Sequence, residues 1–266
     1  MSTALQPLAD PVQPRAVATA FKILKLAVKT YHRSEVTGAE NIPDGGALIV
    51  SNHSGGVMAM DVPVIAVAFW ERFGLERPLR VLTHDMVMIG PIGDFFRKFG
   101  MINANRENAL SALRSGEVTI VFPGGDYDAY RPTALANKID FNGRTGYVRT
   151  ALEAGVPLVP VVSIGGQETQ YVLTRGQWLG KLSPLKGLMR SEIAPLSVGF
   201  PFGLTVGGLG NLPLPSKIVT RILEPIDITG EFGPDPDVAA VDVEVRTRMQ
   251  AALDELAAER RFPVLG

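Results

Sequence analysis

Hydrophobic and polar positions change period several times along the 266-residue chain, and each change marks an element. Val17, Phe21, Leu24, Val28 and Tyr31 recur at steps of four, three, four and three. That spacing is one face of an α-helix. Lys22, Lys25 and Lys29 run beside it, so the amphipathic helix either docks on the domain with solvated lysines or lies on a membrane with its lysines at anionic headgroups. Ala47 to Ser51 (ALIVS) is a short apolar run that predicts a buried strand, and Asn52-His53-Ser54-Gly55-Gly56 follows as a loop. Residues 63–73 read as a helix with Pro63 near its first turn, where proline is tolerated. A strand over 79–82, a helix over 91–99, a strand over 100–103 and a helix over 106–115 come next. Val118 to Phe122 (VTIVF) is a second buried strand, stopped by Pro123-Gly124-Gly125. Residues 143–154 form a helix ended by Gly155, residues 158–163 and 218–223 are strands, and 238–261 is a closing helix with Val243, Met249, Leu253 and Leu256 on its apolar side. From Ser191 to Ser216 the only charged residue is Glu192. That stretch reads as a long functional loop or as irregular strands completing the core. The alternation predicts a single α/β domain, with a mixed central sheet flanked by helices and an N-terminal amphipathic helix. The domain spans 15–266, after a flexible segment over 1–14.

Composition narrows the chemistry. Apolar residues make up 46% and charged residues 20%, enough for a sizeable core and against disorder. The net charge of −1 excludes a nucleic-acid binder that works by neutralising many phosphates. With no cysteine, disulfides, thiolate metal sites and a cysteine nucleophile drop out. His32, His53 and His84 are the only histidines, and without an HExxH pattern no metal site is expected. Residues 1–14 lack the apolar core of a signal peptide, and no stretch reads as a membrane-spanning helix. The expectation is a cytoplasmic protein, free or peripheral on the inner face of a membrane.

Two loops carry the candidate chemistry. His53 stands where a buried strand stops and glycines begin, open to solvent and substrate. Gly55 and Gly56 permit positive φ and close approach of another molecule. A histidine placed so can take a proton from an attacking alcohol. It needs an acid to orient it; Asp61 is the nearest in sequence, and Asp61 is also a helix N-cap candidate before Pro63. The second loop, Phe122 to Arg131, also follows a buried strand. In a parallel sheet it opens at the same edge as the His53 loop, the edge that ligands favour. Ser54 is a poor nucleophile candidate, since no GxSxG elbow occurs.

Four blocks carry a family likeness: LIVSNHSGG (48–56), GMINANR (100–106), FPGGDYDA (122–129) and ALEAGVPLVPVV (151–162). In this order they resemble the glycerolipid (lysophospholipid) acyltransferase superfamily. The Pro-Gly-Gly form with Asp128 three residues on resembles the monoacylglycerol/diacylglycerol acyltransferase-like branch. The resemblance implies a fatty acyl group moved from acyl-CoA or acyl-carrier protein to a lipid hydroxyl, without metal or other cofactor and without an acyl-enzyme. It implies His53 as base. It also implies that Arg106 and the Pro123, Gly124, Gly125 and Asp128 loop bind substrate. Read from its own apolar, Gly- and Pro-rich residues, the 191–216 stretch fits the lining of an acyl-chain tunnel or a face toward lipid as well as it fits core. One departure stands out: the family usually has Asp five residues after the histidine, where this chain has Met58. Asp61 then replaces it across a longer loop, or Asp85, Asp126 or Asp128 does. A lipid hydrolase or thioesterase with the same base, and a non-catalytic lipid-binding protein of the same fold, are the alternatives.

Overall fold

The computed structural model describes residues 12–182, 193–207, 211–262 and 264–265. Residues 1–11, most of the expected flexible segment, lie outside them, as do 191–192 and 208–210 of the 191–216 stretch.

Among the described residues, ten strands form two sheets. β1 (Glu35–Thr37), β2 (Ala47–Ser51), β3 (Leu79–Thr83), β4 (Met101–Asn103), β5 (Val118–Val121), β6 (Leu158–Ile164) and β10 (Val219–Ile222) build a seven-stranded sheet in the order β1-β10-β6-β2-β5-β3-β4. Every pairing in it is parallel except β10 with β6, so the sheet is mixed, as the alternation predicts. The fully buried strands, ALIVS and LVPVVSI, occupy the centre because both of their faces are covered.

Helices cover both faces. α1 (Pro14–Leu26) and α2 (Asp61–Phe73) pack Val17, Ile65, Phe69 and Trp70 against Ile49, Ile120 and Val161. On the other face, α6 (Gly146–Ala154) and α9 (Val238–Glu259) bring Val148, Ala151, Val245, Met249 and Leu253 against Leu48, Val50 and Val162. α4 (Arg106–Arg114) adds Leu113 to this second layer. Alternate residues of β2 thus feed opposite cores, as period-two pleating requires. α3 (Gly90–Arg97), α5 (Gly125–Ala129), α7 (Gln177–Leu182) and α8 (Ile228–Phe232) are short. Among the described residues no helix is long and apolar enough to cross a membrane.

Several expectations are corrected. Among its described residues the 191–216 stretch is no structureless loop. β8 (Leu196–Gly199) and β9 (Gly203–Val206) pair antiparallel with each other and with β7 (Tyr171–Thr174) in a separate three-stranded sheet. Val243 is exposed on α9 while Met249, Leu253 and Leu256 are buried, because it stands two residues, about 200° around the helix, from Val241 and Val245, which mark the buried stripe. Lys25 and Lys29 both pair with Glu71 of α2, at 3.0 and 3.3 Å, so two of the three lysines serve the docking of α1. α1 relaxes into a wider π-type turn over Ala27–Tyr31, and the Tyr31 hydroxyl donates to the Pro213 carbonyl at 2.8 Å.

Candidate active site

β2 lies between β5 and β6, all three parallel, so their carboxyl ends open at one edge. The His53 loop leaves β2 there and the Pro-Gly-Gly loop leaves β5, with Val50 beside Val121 in register. The His53 ring lies against Phe122, centroids 4.3 Å apart and tilted 31°. The Asn52 side chain ties the loop to β6: it donates to the Ser163 carbonyl at 2.9 Å and accepts the Ser163 N–H at 2.8 Å.

Asp61 is the carboxylate that reaches His53. His53 Nδ1 donates to Asp61 Oδ2 at 3.0 Å, and the Ser54 N–H donates to the same oxygen at 2.9 Å. Asp61 Oδ1 accepts the Val62 N–H at 2.9 Å. Asp61 is fully buried, whereas the His53 side chain keeps 19% exposure, so the imidazole is held from behind and open in front. Asp61 is not an N-cap: α2 begins at Asp61 itself, with Met60 before it, and the carboxylate sits in the first turn, where the helix dipole favours negative charge. Burial works against the charged imidazolium. The Asp61 charge and hydrogen bond, with the charge of Asp128, outweigh it and lift the His53 pKa above the ordinary 6.5.

Asp128 is fully buried beneath the loop. Its Oδ2 accepts the His53 N–H at 2.7 Å, and its other oxygen pairs with Arg131, 1% exposed. Burial pushes the Asp128 carboxyl up to about 6, against the pull of Arg131 and of the His53 peptide. Expected to bind substrate, Asp128 instead braces the backbone of the candidate base. Gly124 serves the same packing, since a Cβ there would collide with the Asp128 Cβ. The loop is not open either: Gly125 begins the α5 turn and its N–H closes onto the Phe122 carbonyl at 2.9 Å. Arg144 holds that turn from outside, donating to the carbonyls of Pro123 and Gly124 at 3.4 and 2.9 Å.

Gly55 and Gly56, with φ of 85° and 69°, pack on the segment after β6. A Cβ on Gly55 would lie 2.8 Å from Thr169 Oγ1, and one on Gly56 would meet Gln170 Oε1. Ser54 is buried with its hydroxyl toward Gly166. Arg106, in the first turn of α4, pairs its exposed guanidinium with Glu153 in the last turn of α6. Asp126 pairs with Arg144 at 3.1 Å, and Asp85 accepts from Asn103 at 2.7 Å, so neither replaces Asp61 at His53 Nδ1. Sequence reasoning missed Asn52, Arg144 and Ser163, whose partners lie on other elements, and Arg131, whose partner Asp128 is three residues back and is marked only by the burial of both. No group of acidic and histidine side chains among the described residues suits a metal ion.

This edge presents a histidine–carboxylate pair at the carboxyl ends of parallel strands in a mixed sheet. A family model for acyltransferases matches residues 33–164, which hold both loops. An uncharacterized Mycobacterium tuberculosis protein is 37% identical over 90% of this chain and 66% of its own length. A mouse protein described as a DGAT1/2-independent enzyme synthesizing storage lipids is 28% identical over 85% of this chain and 61% of its own. The crystal structure of PlsC, the 1-acyl-sn-glycerophosphate acyltransferase of Thermotoga maritima, superposes with a TM-score of 0.55 over 92% of this chain and 84% of that one, at 21% identity, and shows the same fold. The chain belongs to the acyltransferase family and has a PlsC-like fold. It spans about two thirds of the length of these mycobacterial and mouse relatives.

Proposed function

We propose that the protein is an O-acyltransferase that moves a fatty acyl group from a thioester, acyl-CoA or acyl-carrier protein, to a hydroxyl of a glycerolipid. The observation that carries this reading is the His53–Asp61 contact. With Nδ1 donating to a buried carboxylate, Nε2 is left as the acceptor on the exposed side of the ring. It takes the proton as the hydroxyl oxygen attacks the thioester carbonyl. The C–O bond forms, the C–S bond breaks, and the thiolate leaves with the proton from the imidazolium. Asp61 holds the tautomer and stabilises that imidazolium. The peptide N–H groups of Gly55 and Gly56 are the proposed donors to the oxyanion, since those of His53, Ser54 and Gly125 are already engaged.

Two features weigh against the alternatives. Met58 in the family's Asp position was the best support for a non-catalytic protein, and Asp61 supplies a carboxylate in its place. Among the relatives, the mouse protein's description concerns storage lipid synthesis, which favours transfer over hydrolysis and a neutral glyceride as acceptor.

The test is purified protein with one radiolabelled acyl-CoA and a panel of lipid alcohols, with products resolved by chromatography. Label should move to an acceptor. His53→Ala should lower transfer about a hundredfold or more with unchanged melting. A folded variant at full rate removes His53 from the mechanism, and free fatty acid formed independently of acceptor would favour the hydrolase.

A further inference from the structure

The three-stranded sheet has its polarity reversed. Its inward face carries, beside the buried Val172 opposite Ser197, hydroxyls and amides: Ser197 Oγ lies 3.0 Å from Thr205 Oγ1 and accepts from Gln170 Nε2 at 3.0 Å, and Asn211 Nδ2 donates to Thr205 Oγ1 at 3.2 Å. Its outward face is apolar. Tyr171, Val198 and Leu204 form one cross-strand row and Leu196 with Val206 the next, and all but the half-buried Leu196 are exposed. At the turn between β8 and β9, Phe200 and Phe202 are 65% and 67% exposed. A half-solvated antiparallel sheet normally turns polar residues outward, and edge strands are normally guarded by charge. Here no charged residue occurs from Ile193 to Ser216. Ser and Thr inside with Leu and Phe outside is the pattern expected where the outer medium is apolar.

Continuity with the candidate site identifies that medium. Thr169 and Gln170, which pack on Gly55 and Gly56 beside His53, lead directly into β7. Met58 in the His53 loop, and Met86 and Ile89 just past the carboxyl end of β3, are also exposed, so apolar side chains are gathered at the edge where His53 opens. A protein partner would need polar and charged groups for the rim of its interface, and the hairpin offers no charge. The face is also cupped, an open concavity of about 620 Å³ lined by Leu173, Val198, Phe200 and Leu214, a shape that flexible lipid chains fill. Trp178, 60% exposed on α7 next to this sheet, suits the bilayer–water boundary.

We propose that the outer face of the β7–β9 sheet inserts into a lipid bilayer by its apolar side chains, setting the His53 edge at the membrane surface. The attraction is hydrophobic and needs no anionic headgroup. The proposal rests on the acyltransferase reading for its purpose but not for its test.

The experiment is sedimentation of the full chain with vesicles of pure phosphatidylcholine and of phosphatidylcholine mixed with phosphatidylglycerol, at low and high salt. The Phe202→Ser, Leu204→Ser double variant is compared, with melting temperature as the folding control. Wild type should bind both vesicle types with little effect of salt, and Trp178 emission should shift to the blue; Trp178→Phe should remove the shift. The double variant should bind roughly tenfold more weakly or worse. Equal binding by the folded double variant overturns the proposal. So does binding confined to anionic vesicles and abolished by salt, which would return the contact to the α1 lysines. A lipid-free dimer that the double variant dissociates, with no vesicle binding by wild type, would assign the face to a second copy. Acyl transfer between water-dispersed substrates without vesicles should be equal in wild type and variant. Binding without transferase activity would therefore refute only the enzyme reading, and transfer without binding only this one.

Discussion

Asp61 accepts three donors with two oxygens: His53 Nδ1 and the Ser54 N–H on one, the Val62 N–H on the other. An Asn there must turn its amide NH₂ toward one of those donors. Facing His53, it would force the other tautomer, with the proton on Nε2 and no base left to accept. Asp61→Asn should therefore lower turnover steeply, as loss of the orienting carboxylate does in hydrolytic triads, by about 10⁴-fold there, with a smaller loss of stability. The pH profile adds a check. Transfer needs neutral His53, and its folded pKa lies above 6.5, so kcat/KM should rise with pH through a midpoint above that value. Asp61 is a principal cause of that elevation, so the residual activity of the variant should have its midpoint shifted to lower pH. Wild-type turnover in Asp61→Asn would assign the orienting role elsewhere.

Arg131 shows how a buried charge is tolerated. Its guanidinium neutralises Asp128 with both side chains out of water. Arg131→Met leaves the carboxyl unpaired and should cost about 3–5 kcal/mol. The sign with pH follows from Asp128. Its folded pKa, about 6 with Arg131 present, should rise further without it. A raised folded pKa gives stability that is full below the unfolded value and lost as pH rises through the folded one. The deficit of the variant should thus be largest at neutral and alkaline pH and shrink in acid. Urea titrations across that range measure it, and a pH-independent deficit would contradict the assignment.

At the scale of elements, the buried strands were the most legible. ALIVS, VTIVF and the run after Gly155 each appear as strands within a residue or two of expectation, because a continuous apolar run needs both faces covered. Short elements were not: β1, α5 and α8 have three to five residues, too few for a period to show. The hairpin of β8 and β9 was hidden for another reason. Its alternation is faithful, but an outward apolar face reads like irregular core. The two sheets should also differ in local stability. β2, β5 and β6 are packed on both faces, while β7–β9 leave one face exposed. In hydrogen exchange followed by mass spectrometry, without lipid, amides of the central strands should exchange only on global unfolding, and those of β8 and β9 orders of magnitude faster. Equal protection would mean that the small sheet is part of the main cooperative unit.

For the molecule as a whole, the sequence alone determined the α/β alternation, the buried strands, the family likeness and the candidate base, since each rests on local pattern or on residues adjacent in the chain. His53 was legible because a strand end followed by two glycines is a local signal. Its partner was only narrowed to a few acids, and the loop between them, with Gly55 and Gly56 in left-handed backbone, decided for Asp61. Asp128 passed from expected substrate ligand to buried brace for the same reason: Arg131 is only three residues on, but the His53 N–H reaches the carboxylate only when β2 and β5 lie side by side. Which strands are neighbours, which helix end faces which carboxylate, and which face of a hairpin points outward depend on contacts between residues far apart in the chain. No period or spacing encodes those contacts; the packed sheet creates them.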